Sequence, residues 1–358
     1  MLYFAYISET FKKSSIDELR SLDLDIKIVK EYREVLILES SQMSLEAKLR
    51  DINPIFIYNL LPLSSTSNID ESNYLKTIYD AFKMLNIDKS SALMVQCFNL
   101  NSKRGCSAKD IEVYIGENLE REGQDINIEA PQVVAFAVII DMVCYCGSML
   151  AYDMFRLHLD PKRFYKNRFS KVVSRAELKL EEAWDEFGLE GHGGIAIDIV
   201  AAPGGWSLVL ARKGIKAIAI DSGNLDVAAI SRQGVKVKVV DGKISKQDLD
   251  ENHIFHIKSA YEGVAKDIVQ DDNVGMILVD INSTPDVSVK AVHKFLPLLC
   301  ADALLIMTIK CVTKNVSKYI NIAKDGLKSD FEIKSVRCLP ANRMEVTLYA
   351  IKKRISSV

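Results

Sequence analysis

One segment, residues 195–206, constrains the fold of this chain more than any other part of the sequence. An apolar run, Ile195–Ile197, leads to an acid at Asp198, and the chain then turns through Ala201–Gly205. After this turn the apolar spacing is helical, and Gly214 lies where that helix would end. A strand, a glycine-containing turn and a helix in this order predict a ligand-binding crevice at the carboxyl end of a parallel strand.

A second apolar strand follows the predicted helix and supports the same interpretation. It covers Ala217–Ile220 and ends in Asp221, close to the spacing at which an acid reaches the ribose hydroxyls of a nucleotide. Gly204 and Gly205 carry no Cβ, so we expect them to let a ligand approach the backbone. The G-x-G-x-x-G pattern of nicotinamide sites does not occur at this turn, which argues against a nicotinamide cofactor.

The string D-x-x-A-x-P-G-G-W, which begins at Asp198, resembles the S-adenosylmethionine loop of the FtsJ-type ribose methyltransferases. This resemblance implies a Rossmann-like methyltransferase domain with S-adenosylmethionine as its cofactor. The residues expected to bind that cofactor, at this loop and at neighbouring strand ends, are Asp198, Ala201, Pro203, Gly204, Gly205, Trp206, Asp221, Asp241 and Asp280.

The third strand of this domain can be placed in two ways. It could be Val235–Val240, ending in Asp241, or Ile254–Ile257, after an insertion of polar residues that departs from the family pattern. Strand propensity favours the first placement, in which Asp241 would reach the adenine side of the cofactor.

Four charged residues match a further pattern of the same family. The segment S-R-x-x-x-K-L-E-E is similar to the one that opens the FtsJ-type domain, above all in its RlmM-type branch, and its lysine is Lys179. Two predicted strands end at Asp280 and Lys310, and another begins near Glu345. The family's catalytic residues come in this order. The resemblance therefore implies that these four residues, here called the tetrad, are catalytic.

The residue types of the tetrad suit methyl transfer to a ribose hydroxyl. A 2′-hydroxyl is a poor nucleophile until its proton is removed, and a lysine can take that proton only if its pKa is lowered. Lys310 is the candidate base, and Lys179 would repel a proton on it and orient the ribose. Asp280 and Glu345 would hold the two lysines by hydrogen bonds, and this chemistry needs no metal.

Composition fits a reduced cytoplasmic protein of two or three domains. The chain has 358 residues, a formal net charge of −2 and seven cysteines without a C-x-x-C pair. The N-terminus does not read as a signal peptide, and the most apolar run, Val133–Leu150, is interrupted by Asp141 and falls short of a membrane span. Because the global charge is slightly negative, any nucleic-acid partner requires a local basic patch.

The N-terminal half shows two α+β patterns. The first, a strand at Leu2–Ile7, a helix at Ser15–Leu22, strands at Asp25–Val29 and Val35–Glu39 and a helix at Leu45–Ile52, suggests a ferredoxin-like unit. After a predicted polar linker, Leu63–Asp70, the second pattern contains I-G on a helix, then I-N-I-x-x-P, then a strand-rich run ending near C-G. It resembles a THUMP domain, which implies binding of structured RNA. The alternative is a generic α+β domain that packs on the catalytic half or forms a dimer.

A basic segment joins the two halves. It contains six cations and no acid over Pro161–Arg175, interleaved with aromatic rings. Cations can neutralise phosphates and rings can stack on bases, so the segment is expected to contact the RNA backbone, the alternative being a solvated linker. The cations are Lys162, Arg163, Lys166, Arg168, Lys171 and Arg175.

The sequence therefore predicts an α/β protein with an α+β N-terminal half and a Rossmann-like methyltransferase domain. The expected divisions are a ferredoxin-like unit at 1–62, a THUMP-like RNA-binding domain at 63–160, a basic linker at 161–173 and an FtsJ-like domain at 174–358. The expected activity is 2′-O-methylation of structured RNA, most simply ribosomal RNA. Two alternatives stay open: 2′-O-methylation of transfer RNA, and a non-catalytic RNA-binding protein that retains the fold. The sequence does not indicate an oligomeric state.

Overall fold

The computed structural model describes residues 1–22, 25–42, 44–101, 106–154, 156, 158–168, 172–189, 194–250, 252–270, 274–313 and 315–354. Contacts between Cα atoms divide the chain into two compact units, Met1–Phe164 and Tyr165–Val358. Among the described residues, no helix has both the length and the apolar character needed to cross a membrane.

The first unit begins with a four-stranded sheet in the order β2-β3-β1-β4. Leucine, isoleucine and tyrosine side chains from β1, β3 and both helices fill the core of this sheet. Its elements are β1 (Leu2–Ile7), α1 (Lys12–Leu22), β2 (Lys27–Tyr32), β3 (Val35–Glu39), α2 (Leu45–Ile52) and β4 (Ile57–Leu63).

A second four-stranded sheet, in the order β5-β8-β7-β6, completes the first unit. Its elements are β5 (Ser65–Asn68), α3 (Tyr74–Lys83), β6 (Leu93–Asn99), α4 (Ala108–Arg121), β7 (Val133–Ile140) and β8 (Val143–Leu150), followed by α5 (Pro161–Arg168). The helix α4 begins where the sequence predicts it, because Ser107 and Asp110 form a reciprocal capping box at its N-terminus.

Two predictions for this unit were wrong. The helix α1 starts at Lys12, so Ser14 and Ser15 lie inside it rather than capping it. The stretch predicted as a polar linker, Leu63–Asp70, contains the strand β5, which pairs antiparallel with β8. The pattern of small polar residues concealed this strand, because an edge strand that is only half buried does not need an apolar sequence.

The second unit is built on an eight-stranded sheet, and its elements up to the centre of that sheet come first along the chain. They are α6 (Arg175–Phe187), β9 (Ile195–Ile199), α7 (Gly205–Arg212), β10 (Lys216–Ile220), α8 (Val227–Ser231), β11 (Lys236–Val239), β12 (Ile244–Ser245), β13 (His253–Ile257) and β14 (Val269–Gln270). The remaining elements are β15 (Val274–Val279), α9 (Pro285–Phe295), β16 (Leu299–Lys310), α10 (Val316–Leu327), β17 (Phe331–Arg337) and β18 (Glu345–Lys352).

The order of the large sheet is β11-β13-β10-β9-β15-β16-β18-β17. The pairs from β11 to β16 are parallel, whereas β18 runs antiparallel between β16 and β17. The strand order reverses between β9 and β15, and such a switch point opens a crevice at the carboxyl ends of the strands. The fold is thus mixed α/β, Rossmann-like in the second unit and α+β in the first, as the sequence predicts.

The predicted placement of the third strand was wrong. The strand that pairs with β10 is β13, and β11 lies outside it at the edge of the sheet. Ile254–Ile257 is buried, whereas Lys236, Lys238 and Val239 of β11 are exposed. Burial of the apolar strand between two neighbours outweighed the strand propensity of K-V-K-V. Asp241 therefore follows the outermost strand.

Candidate active site

The turn after β9 is shaped by its backbone hydrogen bonds. The amides of Val200 and Ala201 both donate to the carbonyl of Ile220 on β10, at 2.8 and 3.3 Å. Val200 has φ of +62° and Gly204 has φ of +106°, and a left-handed backbone is strained for a β-branched residue. This turn holds the chain at the carboxyl ends of β9 and β10, where the sequence predicts the cofactor.

Asp221 is fixed beside this turn. Its Oδ2 accepts from the amide of Ala202 at 2.9 Å, and its Oδ1 accepts from the amide of Gly223 at 2.7 Å. A Cβ on Gly223 would lie 3.1 Å from Asp221 Oδ1 and 3.3 Å from the Cβ of Ala202, so a side chain there would crowd the carboxylate. A carboxylate has more acceptor sites than these two, so Asp221 can still accept from ribose hydroxyls. The residues present here fit an adenosyl group.

The glycine pair has a different role from the one predicted. A Cβ on Gly205 would lie 2.5 Å from Ser174 Oγ and 3.1 Å from the backbone nitrogen of Glu177, and one on Gly204 would lie 2.8 Å from Ile230 Cδ1. Both glycines are therefore required by close packing within the unit, where α7 approaches α6. Trp206 contributes to the same packing, since its Nε1 donates to the carbonyl of Ala176 at 2.6 Å.

Asp198 lies beneath the turn and is 1% exposed. Its Oδ2 accepts from Ser207 Oγ at 2.6 Å, which ties β9 to α7. Burial raises the pKa of Asp198 to about 7, although the hydrogen bond from Ser207 opposes the shift; the negative charge of Asp280 adds to it. Pro203, in the turn itself, follows a cis peptide bond.

The four members of the tetrad lie together in one buried cluster. Lys179 Nζ is 2.9 Å from Asp280 Oδ2 and 2.8 Å from Glu345 Oε1. Lys310 Nζ is 2.9 Å from Asp280 Oδ1 and also donates to Glu345 Oε2. The side chains of Lys179 and Glu345 are each 5% exposed. Each carboxylate is therefore shared by both lysines, and the four charges cancel.

Local structure explains how the tetrad assembles. Asp280 follows β15 and Lys310 ends β16, and these parallel strands are neighbours whose carboxyl ends meet at one edge. Lys310 lies opposite Glu345 in the antiparallel pairing of β16 with β18. Lys179 comes from α6, whose apolar residues Leu180 and Trp184 pack in the core of the unit.

The electrostatics of the cluster favour its charged state. Burial would raise the pKa of Asp280, but Lys179, Lys310 and a hydrogen bond from Thr308 lower it to about 2. Burial would lower the pKa of Lys310, but Asp280 and Glu345 outweigh that effect, so its pKa is raised. Asp280 is thus ionised and Lys310 protonated at neutral pH.

Thr308 is a contact of the tetrad that the sequence analysis missed. Its Oγ1 donates to Asp280 Oδ1 at 2.6 Å, and the residue is fully buried. The sequence signal was a hydroxyl inside the apolar strand L-L-I-M-T-I-K, two positions before Lys310 and hence on the same face.

The structure does not gather the predicted RNA-binding cations into one free basic patch. Lys162 lies 3.8 Å from Glu34 and above the rings of Tyr6 and Tyr58, and Arg163 pairs with Glu112. These contacts are internal to the first unit. Arg175, at the start of α6, is exposed. Lys166 and Arg168 belong to α5, but their side chains, like all of Lys171, lie outside the described residues.

Metal ligands were sought as well. Within the ranges described above, no three His, Cys, Asp or Glu side chains are grouped closely enough to hold a metal ion.

A switch-point crevice, an acid at the end of the neighbouring strand and a charged cluster beside them define the class of Rossmann-like methyltransferases. Within that class, residues 172–337 match the family of FtsJ-like methyltransferases. The second unit thus contains an FtsJ-like methyltransferase domain, and its methyl donor is S-adenosylmethionine. Asp221 would hold the ribose of the donor, and the turn after β9 would hold its amino-acid portion.

Two curated proteins illustrate the similarity. An uncharacterized protein of Methanocaldococcus jannaschii, MJ1257, is 29% identical over 148 residues, which is 40% of this chain and 36% of that protein. Ribosomal RNA large subunit methyltransferase M of a Marinomonas species is 27% identical over 199 residues, which is 52% of this chain and 55% of that protein. The chain therefore matches about half, or less, of the length of these relatives.

Among solved structures, TrmN from Thermus thermophilus aligns over 99% of this chain and 100% of its own, with a TM-score of 0.40 and 12% identity.

Proposed function

We propose that this protein transfers a methyl group from S-adenosylmethionine to a 2′-hydroxyl of RNA. The observation that carries the proposal is the tetrad, in which two lysines and two carboxylates contact one another at the carboxyl edge of β15 and β16. This edge also carries the turn after β9, where the donor would bind. The residue types at both places are those needed for attack of a hydroxyl on a sulfonium methyl group.

The bound donor supplies an electrophilic methyl group on a positively charged sulfur. As the 2′-oxygen forms its bond to the methyl carbon, the carbon–sulfur bond breaks and its electron pair returns to sulfur. The hydroxyl proton passes to the amine of Lys310. Lys179 orients the ribose, while Asp280 and Glu345 hold the lysines.

This mechanism requires a change at Lys310 when RNA binds. Before binding, Asp280 and Glu345 keep the pKa of Lys310 raised, although burial acts in the opposite direction. Ribose hydroxyls that donate to these carboxylates would weaken their hold on the ammonium, and exclusion of water would favour the neutral amine. Lys310 would then lose its proton and become able to accept one.

The proposed substrate is structured ribosomal RNA. Support comes from the large-subunit methyltransferase of the Marinomonas species, since its match reaches beyond the tetrad segment to about half of each chain. We further propose that residues 1–62 form a ferredoxin-like unit and 63–160 a THUMP-like domain that presents RNA to the domain at 174–358. Residues 161–173 would link them, and Arg175 would contact phosphate.

Mapping of 2′-O-methyl groups tests this function. Total RNA from cells with and without the protein would be compared, and the purified protein would then be incubated with ribosomal RNA, transfer RNA and labelled S-adenosylmethionine. We expect one ribosomal site to lose its methyl group in the absence of the protein. The Lys310→Ala variant is the matched control. A mark confined to transfer RNA would replace the substrate, and methylation of a base would reject the ribose as acceptor.

A further inference from the structure

Asp280 is the most heavily hydrogen-bonded member of the tetrad, and not all of its donors are lysines. Its Oδ1 accepts from Thr308 Oγ1 at 2.6 Å, from Lys310 Nζ at 2.9 Å and from Lys179 Nζ at 3.2 Å. Its Oδ2 accepts from Lys179 Nζ at 2.9 Å. The shortest of these four contacts is made by the neutral hydroxyl.

A hydroxyl at this position restricts the carboxylate in a way that the lysines do not. Lysine side chains have four rotatable bonds and can follow a carboxylate that rotates. Thr308 is β-branched, lies in the middle of a buried strand and has few accessible rotamers, so its Oγ1 is a fixed point. The hydrogen bond to this point fixes the orientation of the Asp280 carboxylate.

We propose that Thr308 is a positioning residue of the active site, which orients the Asp280 carboxylate so that Oδ1 faces Lys310 and Oδ2 faces Lys179. The inference rests on the proposed function, because its consequence for catalysis is a correctly placed Lys310. Thr308 does not touch the reacting atoms and acts only through Asp280.

The sheet supplies a matched control in Thr347. This residue lies opposite Thr308 in the pairing of β16 with β18, and both are fully buried. The hydroxyl of Thr347 is hydrogen-bonded to Asn342, whose Nδ2 donates to it at 3.2 Å. A threonine-to-valine change at either position removes one hydroxyl of the same kind from neighbouring sites, but only one of them touches the tetrad.

The experiment compares Thr308→Val, Thr308→Ser and Thr347→Val in the full-length protein. We expect Thr308→Val to lower kcat about 10- to 100-fold, the effect of losing a hydrogen bond to a charged group, with KM for RNA unchanged. The inflection of its pH–rate profile should move upward, because a carboxylate without the hydroxyl holds the Lys310 proton more firmly. Thr308→Ser keeps a hydroxyl and should restore most of the rate, and Thr347→Val should keep the wild-type profile.

Three results would overturn the proposal. One is a wild-type kcat and pH profile in Thr308→Val, and another is an equal loss of rate in Thr347→Val with both profiles unshifted. The third is a crystal structure of Thr308→Val in which the Asp280 carboxylate has not rotated. This last measurement does not depend on activity. If the wild-type protein methylates no ribose, the proposed function fails, while the crystal structure still decides whether Thr308 orients Asp280.

Discussion

The ammonium of Lys179 lies 2.9 Å from Oδ2 of Asp280, although 101 positions separate the two residues in the chain. The side chain of Lys179 is 5% exposed and that of Asp280 is 15% exposed. Removal of either residue leaves the other as a buried charge with fewer partners, which is strongly unfavourable. The pair must therefore be studied with substitutions that keep a partner in place.

Substitution of Lys310 tests its role as the base. Arginine stays charged and presents a planar fork, so it cannot accept the hydroxyl proton. We expect both Lys310→Arg and Lys310→Ala to lower the single-turnover rate by roughly 100-fold or more while affinity for S-adenosylmethionine, measured by calorimetry, is kept. In the wild type this rate should rise with pH through the pKa of the lysine in the RNA complex.

The control for this experiment is Lys318→Arg, an exchange of the same kind at an exposed lysine of α10, which should leave the rate unchanged. If Lys310→Arg methylates RNA nearly as fast as the wild type, Lys310 supports the charges of the site electrostatically, and the proton leaves to another group or to water.

Asp221 should account for much of the affinity for the donor. Its carboxylate is held at the crevice by two backbone amides, and hydrogen bonds from ribose hydroxyls to a charged group contribute about 1.5–3 kcal/mol. We expect Asp221→Ala to weaken binding of S-adenosylmethionine about 10- to 100-fold in calorimetry. Asp241→Ala should have a smaller effect, because Asp241 follows the outermost strand. An effect as large for Asp241 would restore the placement that its sequence favours.

The buried acid Asp198 should make stability depend on pH. Its pKa is about 7 in the folded protein, raised by burial, against about 3.9 in an unfolded chain. Between these values the folded state retains a proton that the unfolded state has lost, so the free energy of unfolding falls as pH rises from about 4 to about 7. Each tenfold difference in proton affinity between the folded and unfolded states corresponds to about 1.4 kcal/mol of unfolding free energy.

Asp198→Asn removes this titration and can still accept the hydrogen bond from Ser207. Urea denaturation at pH 5 and pH 8 should show a smaller loss of stability in the variant than in the wild type. An identical pH dependence in the two proteins would mean that Asp198 is ionised in the folded state throughout this range.

RNA binding should respond to salt, and the cations should differ in their contributions. Arg175 is exposed, so its loss should reduce the slope of log K against log salt concentration by about one. Lys162 and Arg163 are paired with Glu34 and Glu112, so their alanine variants should lower the melting temperature and leave the slope unchanged. A slope unaffected by Arg175→Ala would place the phosphate contacts elsewhere.

Sequence patterns located the candidate site because its residues stand at strand ends. Asp280 and Lys310 each follow a long apolar run, and such runs predict buried parallel strands whose ends coincide in space. The proximity of Lys179 could not be derived in this way, since nothing in a helical pattern specifies which strand end the helix will face. Only the resemblance to a family connected Lys179 with the other three residues.

The failures have a common physical cause. Propensity and local composition favoured β11 as the neighbour of β10 and a linker at Leu63–Asp70, but pairing within a sheet is decided by burial between distant segments. The same limit applies to Gly205, whose requirement for a missing Cβ comes from Ser174 and not from a ligand.

The order of the strands has a consequence for how the protein acquires activity during folding. The antiparallel strand β18 is inserted between β16 and β17, and it brings Glu345 opposite Lys310. Contacts between segments so far apart in sequence form late, because loop closure must precede them. On dilution from denaturant, helical circular dichroism should therefore return before methyl transfer does. Activity in this chain is a gauge of complete folding, since no partly folded species can hold all four charges together.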